Sequence, residues 1–324
     1  MLGVIRLMYC YLGAEFLRGT WVQTTYMCMT LLTIFTGSLL AYHEGHLKKR
    51  LAWSSVSQVS YVLFGLSTMN PVGLVGALLV GVSFAKAFAF ALGKPLIAVN
   101  HIRGHLAAAY LDCPDLKPPF VTLLASGGHT AVLYAKSEAE FEILGATLDD
   151  AAGEAFDKIG RVIGMPYPGG AAMDKLAYEG DPNAVKLPSP AMAGDNLDFS
   201  FSGLKTAALN YINGERQRGS EPHHADLTAS YTKVIVDALV KKMSIAFDKT
   251  STKTLVLAGG VAANSHIRRA LEELCKKKKV SFCKPSLALC SDNAAMVAAA
   301  GYFEYLAGHF ADTSLNASAL DGDL

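Results

Sequence analysis

The sequence predicts an α/β domain from about residue 73 onward, preceded by apolar helices. Three observations support this prediction. Short apolar runs bounded by turn residues alternate with longer helical patterns, two glycine-rich turns follow apolar runs, and 324 residues suffice for a sheet covered by helices. The length also suits two domains, or two similar lobes around a cleft.

The elements follow one another in a regular order. A helical pattern over residues 73–92 is followed by an apolar run at 96–99, which predicts a strand. The further predicted strands cover residues 121–125, 131–134, 141–144, 254–257 and 280–283. The further predicted helices cover residues 149–162, 234–247, 265–274 and 292–306. Strands and helices that alternate in this way are typical of a central sheet.

Charge and cysteine content exclude some classes of protein. The 29 Lys and Arg balance 28 Asp and Glu, so no global basic field indicates nucleic acid, and any RNA contact must be a local patch. The run Lys276 to Lys279 could contact RNA phosphates, but a solvated helix end is the better explanation of it. The six cysteines contain no C-x-x-C pair, which argues against a disulfide framework and favours a reducing compartment.

The first part of the chain is strongly apolar. Residues 22–42 contain no charged side chain, and Trp21 and Tyr42 stand at the two ends. This length predicts a membrane-spanning helix, with a buried helix of a water-soluble core as the alternative. Residues 46–50 form a basic cluster. Residues 51–69 mix serines with large apolar residues, which fits either a second, more polar membrane helix or an amphipathic helix of a water-soluble protein.

The stretch from Asn100 to His105 carries two imidazoles at a predicted helix start. His101 and His105 are four residues apart, so they share one helix face and could hold one metal ion with a third ligand from elsewhere. Two ordinary polar residues at a helix start would look the same. The surrounding motifs must decide between these interpretations.

Two glycine-rich turns follow predicted strands. Leu124-Ala125-Ser126-Gly127-Gly128-His129-Thr130 lies between two strands, where glycines let backbone N–H groups turn toward an anion. Leu257 to Asn264, which contains Gly259-Gly260, joins a buried strand to a helix, a junction at which a nucleotide can approach the backbone. Asn264 could cap that helix or bind a ribose or base.

Acidic and hydroxyl residues complete the pattern. Asp149 and Asp150 precede a helix that carries Glu154 and Asp157 three residues apart. Tyr167-Pro168-Gly169-Gly170 predicts a sharp turn before Asp174, and residues 198–206 predict a strand or loop that enters a helix. Asp292 stands at the start of the last helix, where a capping role is the ordinary explanation.

In this order the motifs resemble one family, the tRNA N6-adenosine threonylcarbamoyltransferases of the actin, hexokinase and heat-shock ATPase superfamily. The motifs are HxxxH, SGGHT, DDAAGEAFDK, YPGG, SFSGLK and GGVxxN with a later Asp-Asn pair, and the resemblance covers about residues 73–306. The resemblance implies that His101, His105 and Asp292 bind one metal ion, with iron expected. It also implies a threonylcarbamoyl-AMP site lined by Leu124, Ala125, Ser126, Gly127, Gly128, Asp157, Gly170, Asp174 and Asn264.

The passage from Ala41 to Tyr61 resembles something else, a membrane segment of the antiporter-like subunits of NADH-quinone oxidoreductase. We therefore divide the chain into a membrane-like helical segment at 1–72 and a transferase-like α/β domain at 73–324, with the join near residues 73–79. Residues 1–72 contain nothing like the family's opening strands and first phosphate loop. The resemblance thus implies a two-lobed fold with an incomplete first lobe, which would expose an edge and an apolar face.

The function implied is transfer of the threonylcarbamoyl group from threonylcarbamoyl-AMP to N6 of adenine 37, in tRNAs that read codons starting with A. The implied partners are tRNA and the subunits of a transfer complex, in the cytoplasm, with membrane contact conceivable through residues 22–42. Two alternatives remain open: an inactive chimeric or truncated remnant, and a related nucleotide-dependent carbamoyltransferase or kinase-like enzyme. Metal analysis and membrane fractionation discriminate among them.

Overall fold

The computed structural model describes residues 20–45, 49 and 71–317, and it divides the chain into two compact units. The first unit contains the described residues up to Ala98 together with those from Phe310 onward, and the second runs from Val99 to His309. The basic cluster at 46–50, apart from Lys49, and the predicted helix at 51–69 lie outside the described residues.

The first unit contains two long helices, α1 (Trp21–His43) and α2 (Pro71–Leu92). Helix α2 agrees with the helix predicted at 73–92. Along α1 the hydroxyls of Thr30, Thr33 and Thr36 donate to carbonyls one turn earlier, so these three hydroxyls are satisfied within the helix. Within the described residues no helix combines the length and apolar character needed to cross a bilayer. The spanning prediction for residues 22–42 is therefore not supported.

The second unit contains a five-stranded sheet and most of the helices. Its strands are β1 (Phe120–Ala125), β2 (Thr130–Ala135), β3 (Phe141–Ala146), β4 (Thr254–Ala258) and β5 (Ser281–Cys283). Its helices are α3 (His101–Asp112), α4 (Ala152–Val162), α5 (Gly169–Leu176), α6 (Ser202–Gln217), α7 (His224–Thr250), α8 (Ser265–Lys278), α9 (Leu287–Cys290) and α10 (Ala294–Leu306). A 3₁₀ helix, Gly260–Ala263, links β4 to α8.

The sheet is mixed. Its strand order is β3-β2-β1-β4-β5, in which β1 pairs antiparallel with β2 and parallel with β4. Strand β5 continues the parallel part beside β4. The five strands and the helices after them confirm the α/β prediction. The predicted strand at 96–99 is wrong, because only Leu96 forms a bridge, to Ala311.

Alternating side chains bury both faces of the sheet. Val121, Leu123, Leu255 and Leu257 face the larger core, which helices α4, α6, α7 and α8 complete. Phe120, Leu124, Val256 and Ala258 belong to smaller clusters on the other side, where Ile102, Leu106 and Ala109 of helix α3 cover them. Helix α3 therefore lies directly against the two central strands, and its first turn lies close to their carboxyl ends.

Two contacts hold helix α3 at its ends. The carboxylate of Glu304, on α10, is almost fully buried and forms an ion pair with Arg103. Cys113, the C-cap of α3, forms a disulfide with Cys283 of β5, with Cα atoms 6.3 Å apart. The sequence argument against disulfides is therefore wrong for this pair. The two cysteines are 170 residues apart, so their spacing carried no signal.

The acidic pair before α4 joins that helix to α6. Asp149 does not serve its own helix: it accepts hydrogen bonds from the hydroxyl of Ser200 and the backbone N–H of Phe201 and Ser202. Asp150 accepts from Lys158 at 2.6 Å and from Lys205 at 2.8 Å. Burial alone would raise the pKa of Asp150, but the hydrogen bonds and charges of the two lysines outweigh it and lower that pKa.

We predict that Asp150→Asn lowers the free energy of unfolding by about 1–2 kcal/mol at pH 7, because both lysines lose a partly buried anionic partner. A pKa lowered by folding stabilises the protein above the unfolded pKa, and this contribution disappears as the pH falls through the folded value. The difference from wild type should therefore shrink in acid. Urea unfolding at pH 7 and pH 3 measures both effects.

The matched control is Asp115→Asn, since Asp115 is exposed and forms no ion pair within the described residues. An Asp150→Asn variant as stable as this control at pH 7 would contradict the prediction.

Candidate functional site

The two glycine turns follow strands that lie side by side. Strands β1 and β4 are parallel neighbours, with Leu124 opposite Ala258 at their carboxyl ends. The turn after β1 contains Ser126, Gly127 and Gly128, and the turn after β4 begins at Gly259. Carboxyl ends of parallel strands are where open α/β sheets bind ligands. The fold thus brings together two motifs that are more than a hundred residues apart in the sequence.

Gly259 permits this close approach. Its φ of +91° lies in the left-handed region, and a Cβ atom there would be 2.4 Å from the carbonyl oxygen of Ala125. A side chain at this position would therefore separate the two turns. Gly153, at the start of α4, makes a similar approach, because its Cβ would be 2.5 Å from the carbonyl oxygen of Ser126. Glycine thus allows three backbone segments to pack against one another.

The first turn is fixed by its own hydrogen bonds. The N–H of Ser126 donates to the carbonyl of His129 at 2.7 Å, and the N–H of His129 donates back to the Ser126 hydroxyl at 3.0 Å. The side chains of Leu124 and Ala125 are completely buried, so only their backbone can line a site. The hydroxyl of Thr130 accepts from Ala152 N–H at 2.8 Å and fixes the start of α4 instead of facing a ligand.

The other residues predicted to bind the nucleotide form two local groups. The Asp157 carboxylate accepts from Gly170 N–H at 3.2 Å. Burial raises the pKa of Asp157, and this effect outweighs the hydrogen bond, which lowers it. The Asp174 carboxylate accepts from the backbone and hydroxyl of Ser265, both at 3.0 Å. Asn264, next to Ser265, caps α8 by accepting from Ile267 N–H at 3.0 Å.

The sharp turn predicted at Tyr167 to Gly170 bends the chain at Tyr167 and Pro168 and leads directly into a helix. Pro168 is the N-cap of α5, and both glycines lie in its first turn. The small residues let α5 approach α4, since a Cβ on Gly169 would lie 3.5 Å from the Asp157 Cα. Glu154 and Asp157 each accept from a different backbone N–H, that of Ala151 and that of Gly170.

The two histidines lie on the first two turns of α3. Asn100 is the N-cap, and its side chain accepts from the backbone N–H of Ile102 at 2.8 Å. His101 and His105 then lie one turn apart, with ring centroids 4.7 Å from each other. This start agrees with the helix predicted after Asn100.

Asp292 completes a three-residue group with the histidines. Its Oδ1 lies 3.6 Å from His101 Nε2 and 3.3 Å from His105 Nε2, and ligand atoms of all three lie within 4.8 Å of one another. Asn293, not Asp292, caps the last helix by accepting from Met296 N–H at 2.8 Å. The capping explanation of Asp292 is therefore wrong. The contact with His105, with the charges of His101 and His129, holds the pKa of Asp292 below its usual range.

This donor set fits a divalent metal ion. His105 is 1% exposed, and neither of its ring nitrogens has a well-directed hydrogen bond, which is costly unless another partner is present. Two imidazoles and one carboxylate suit iron or zinc, with coordination positions left over for substrate. The three ligand residues predicted from the sequence are thus together and chemically suitable.

Sequence reasoning missed several neighbours of the predicted residues. Tyr178 stacks on His266 with ring centroids 4.1 Å apart, and its hydroxyl lies 2.8 Å from that of Ser265. His129, at the tip of the first turn, lies 6.2 Å from the His101 ring. Only His129 stood in a recognised motif. The others depend on how α5 and α8 pack, which no local pattern reveals.

Two family models match the chain. Residues 67–299 match the model described as tRNA N6-adenosine threonylcarbamoyltransferase, and residues 1–105 match the one described as NADH:quinone oxidoreductase/Mrp antiporter, TM. The two matches overlap at residues 67–105, a range that contains the join inferred from the sequence. The overlap supports a fusion of two kinds of sequence.

The relatives found by sequence carry the same description. The tRNA N6-adenosine threonylcarbamoyltransferase of Clostridium botulinum (strain 657 / Type Ba4) is 51% identical over 245 residues, which are 76% of this chain and 72% of the relative. The enzyme of that description from Moorella thermoacetica is 48% identical over 267 residues, which are 82% of this chain and 76% of the relative.

Solved structures of HypF share the fold. The match to HypF of T. kodakarensis has a TM-score of 0.55 at 15% identity and covers 71% of this chain and 40% of that one. The match to full-length HypF in the phosphate- and nucleotide-bound form has a TM-score of 0.53 at 14% identity. It covers 68% of this chain and 37% of that one. This chain therefore spans less than half of either protein, and at such identity the likeness concerns the fold alone.

We predict that Gly259→Ala lowers the free energy of unfolding by about 2–4 kcal/mol, because the methyl group would meet the Ala125 carbonyl and the backbone would keep a strained positive φ. Gly260→Ala is the matched control, since a Cβ at Gly260 meets nothing within 4 Å. Urea unfolding of both variants measures the difference. Equal stability of the two would mean that the turns do not depend on this contact.

Proposed function

We propose, because the chain belongs to the tRNA N6-adenosine threonylcarbamoyltransferase family, that the edge formed by β1 and β4 binds threonylcarbamoyl-AMP beside a metal ion held by His101, His105 and Asp292. The family's reaction transfers the threonylcarbamoyl group to N6 of an adenosine in tRNA, at adenine 37 of tRNAs that read codons starting with A. One observation carries the proposal: two glycine turns and the histidine-aspartate group all lie at the carboxyl ends of β1 and β4, beside the helix that covers them.

The residues suggest how the substrate is held. Backbone N–H groups of Gly127 and Gly128 would bind the phosphate, as glycine turns bind anions elsewhere, while Ser126 would line the site and fix the turn through its bonds to His129. Asp174 would accept from the ribose hydroxyls. Among the described residues its hydrogen bonds from Ser265 go to Oδ1, so Oδ2 keeps its accepting capacity. Leu124, Ala125, Asp157, Gly170 and Asn264 would shape the same site.

The transfer needs little covalent chemistry from the protein. The N6 amine attacks the carbamoyl carbon, a C–N bond forms, the bond from that carbon to the phosphate oxygen breaks, and AMP leaves while N6 loses a proton. The bound metal, which we propose to be iron, would polarise and orient the carbamoyl-phosphate group as a Lewis acid and template. The protein's own task is to hold the amine, the carbonyl carbon and the phosphate in line.

The setting of the reaction follows from its substrates. We propose a cytoplasmic location, where tRNA is available, and partner subunits that form a threonylcarbamoyl transfer complex with this chain. Membrane contact through residues 22–42 is a separate prediction, tested by fractionation. The boundary at 72/73, which falls within helix α2, and the incomplete first lobe also stay predictions, and residues 50–70 lie outside the described ranges.

The direct test is an activity assay. Purified chain is incubated with threonine, bicarbonate, ATP, the partner synthase and unmodified tRNA, and the modified nucleoside is measured by mass spectrometry. Formation of threonylcarbamoyladenosine supports the proposal. A folded, metal-loaded chain that forms none would favour the inactive-remnant alternative. Relatives at 48–51% identity favour the transferase over a kinase-like enzyme.

We predict that His101→Ala reduces both metal content and transfer to tRNA by at least about tenfold, because two remaining ligands hold an ion poorly. Metal content per chain is measured by mass spectrometry alongside the activity. His223→Ala is the control, because His223 is an exposed histidine at the N-cap of α7, outside the three-residue group. Full activity of the His101 variant without bound metal would rule out the proposed role.

A further inference from the structure

One side chain outside the predicted site touches both of its halves. Arg268 lies on helix α8, one turn after the N-cap Asn264. We propose that Arg268 is a positioning residue that couples the glycine turn after β4 to the segment carrying the metal ligand Asp292. This inference rests on the proposed function, because it assumes that the turn binds the nucleoside and that Asp292 binds the metal.

The contacts of Arg268 reach in two directions. Its Nε donates to the carbonyl of Ala262, in the 3₁₀ helix of the glycine turn. Its Nη2 donates to the carbonyl of Pro285 at 2.7 Å and lies 3.1 Å from the Cys290 sulfur. A single guanidinium group therefore joins the turn before α8 to the segment after β5.

Both ends of this bridge are close to the proposed ligands. Ala262 is completely buried and lies two residues before Asn264. Pro285 lies two residues before the single-turn helix α9, and Cys290 is the last residue of that helix, two residues before Asp292. The Cys290 thiol is buried and also lies 3.4 Å from the Ser286 carbonyl, which further fixes this short helix. A shift of the turn would thus be passed to the backbone that carries Asp292.

The chemistry of arginine suits such a coupling role. The guanidinium is planar and rigid, so its Nε and Nη2 donors keep a fixed separation, whereas a lysine ammonium is one point on a flexible stem. Within the described residues Arg268 forms no ion pair, and its partners are two carbonyls and a thiol. Its contacts therefore serve backbone geometry instead of charge neutralisation.

The experiment measures the coupling itself. Cobalt(II), a spectroscopic substitute for iron, is titrated into the metal-free full-length chain with and without saturating adenosine, and the ratio of the two affinities is the coupling factor. Adenosine has no phosphate that could touch the ion, so any coupling must pass through the protein. Wild type should show a factor of about five or more, the lower end of typical couplings.

Arg268→Lys should bring the coupling factor to within about twofold of one. Arg269→Lys is the matched control, because Arg269 is the next residue, is 75% exposed and, among the described residues, pairs only with Glu273 on its own helix. This control should keep the wild-type factor. Thermal unfolding of the ligand-free variants shows whether the lysine variant still folds, and Arg268→Gln repeats the comparison if it does not.

Each outcome has one meaning. An Arg268 variant that loses affinity but keeps the coupling factor would show a purely structural role, which overturns the inference. A wild-type chain that binds both probes without coupling would also overturn it, while leaving the proposed function intact. A folded wild-type chain that binds neither cobalt nor adenosine would overturn the proposed function, and the inference with it.

Discussion

The parallel pairing of β1 with β4 is the interaction on which the candidate site depends. It aligns two strands that are far apart in the sequence, so that each ends beside the other and each is followed by a glycine turn. Gly259 then allows the second turn to lie against Ala125. Helix α3 packs on the same two strands through Ile102 and Leu106, which brings the histidines to this edge. Without this pairing the motifs would remain separate pieces of sequence.

A considerable part of this arrangement could be predicted from the sequence. The strands of the sheet are short apolar runs, and the i, i+4 spacing of His101 and His105 puts them on one helix face whatever surrounds them. The family resemblance supplied Asp292 and the nucleotide residues, which spacing alone could not connect. Local patterns and the family resemblance together therefore identified the residues of the site. Their distances and contacts could be learned only from the folded structure.

The failures have physical reasons. Helix α7 begins at His224, ten residues before the predicted start, because its first turns bury Thr228, Ser230 and Thr232, which carry no apolar signal. The run at 96–99 is apolar but lacks a neighbouring strand, so it does not join the sheet. Asp149 caps a helix fifty residues later, and Arg268 binds backbone carbonyls. Such contacts depend on tertiary packing, so no periodicity in the sequence indicates them.

The Cys113–Cys283 bond has a consequence for the topology of the chain. All five described strands lie between these two cysteines, so oxidation encloses the whole sheet in one covalent ring. His101 and His105 lie just before the ring, and Asp292 lies just after it. The two tails that carry the ligands thus leave the ring at the same point. An ion bound there closes no new long loop, so the entropy of bringing its ligands together has already been lost.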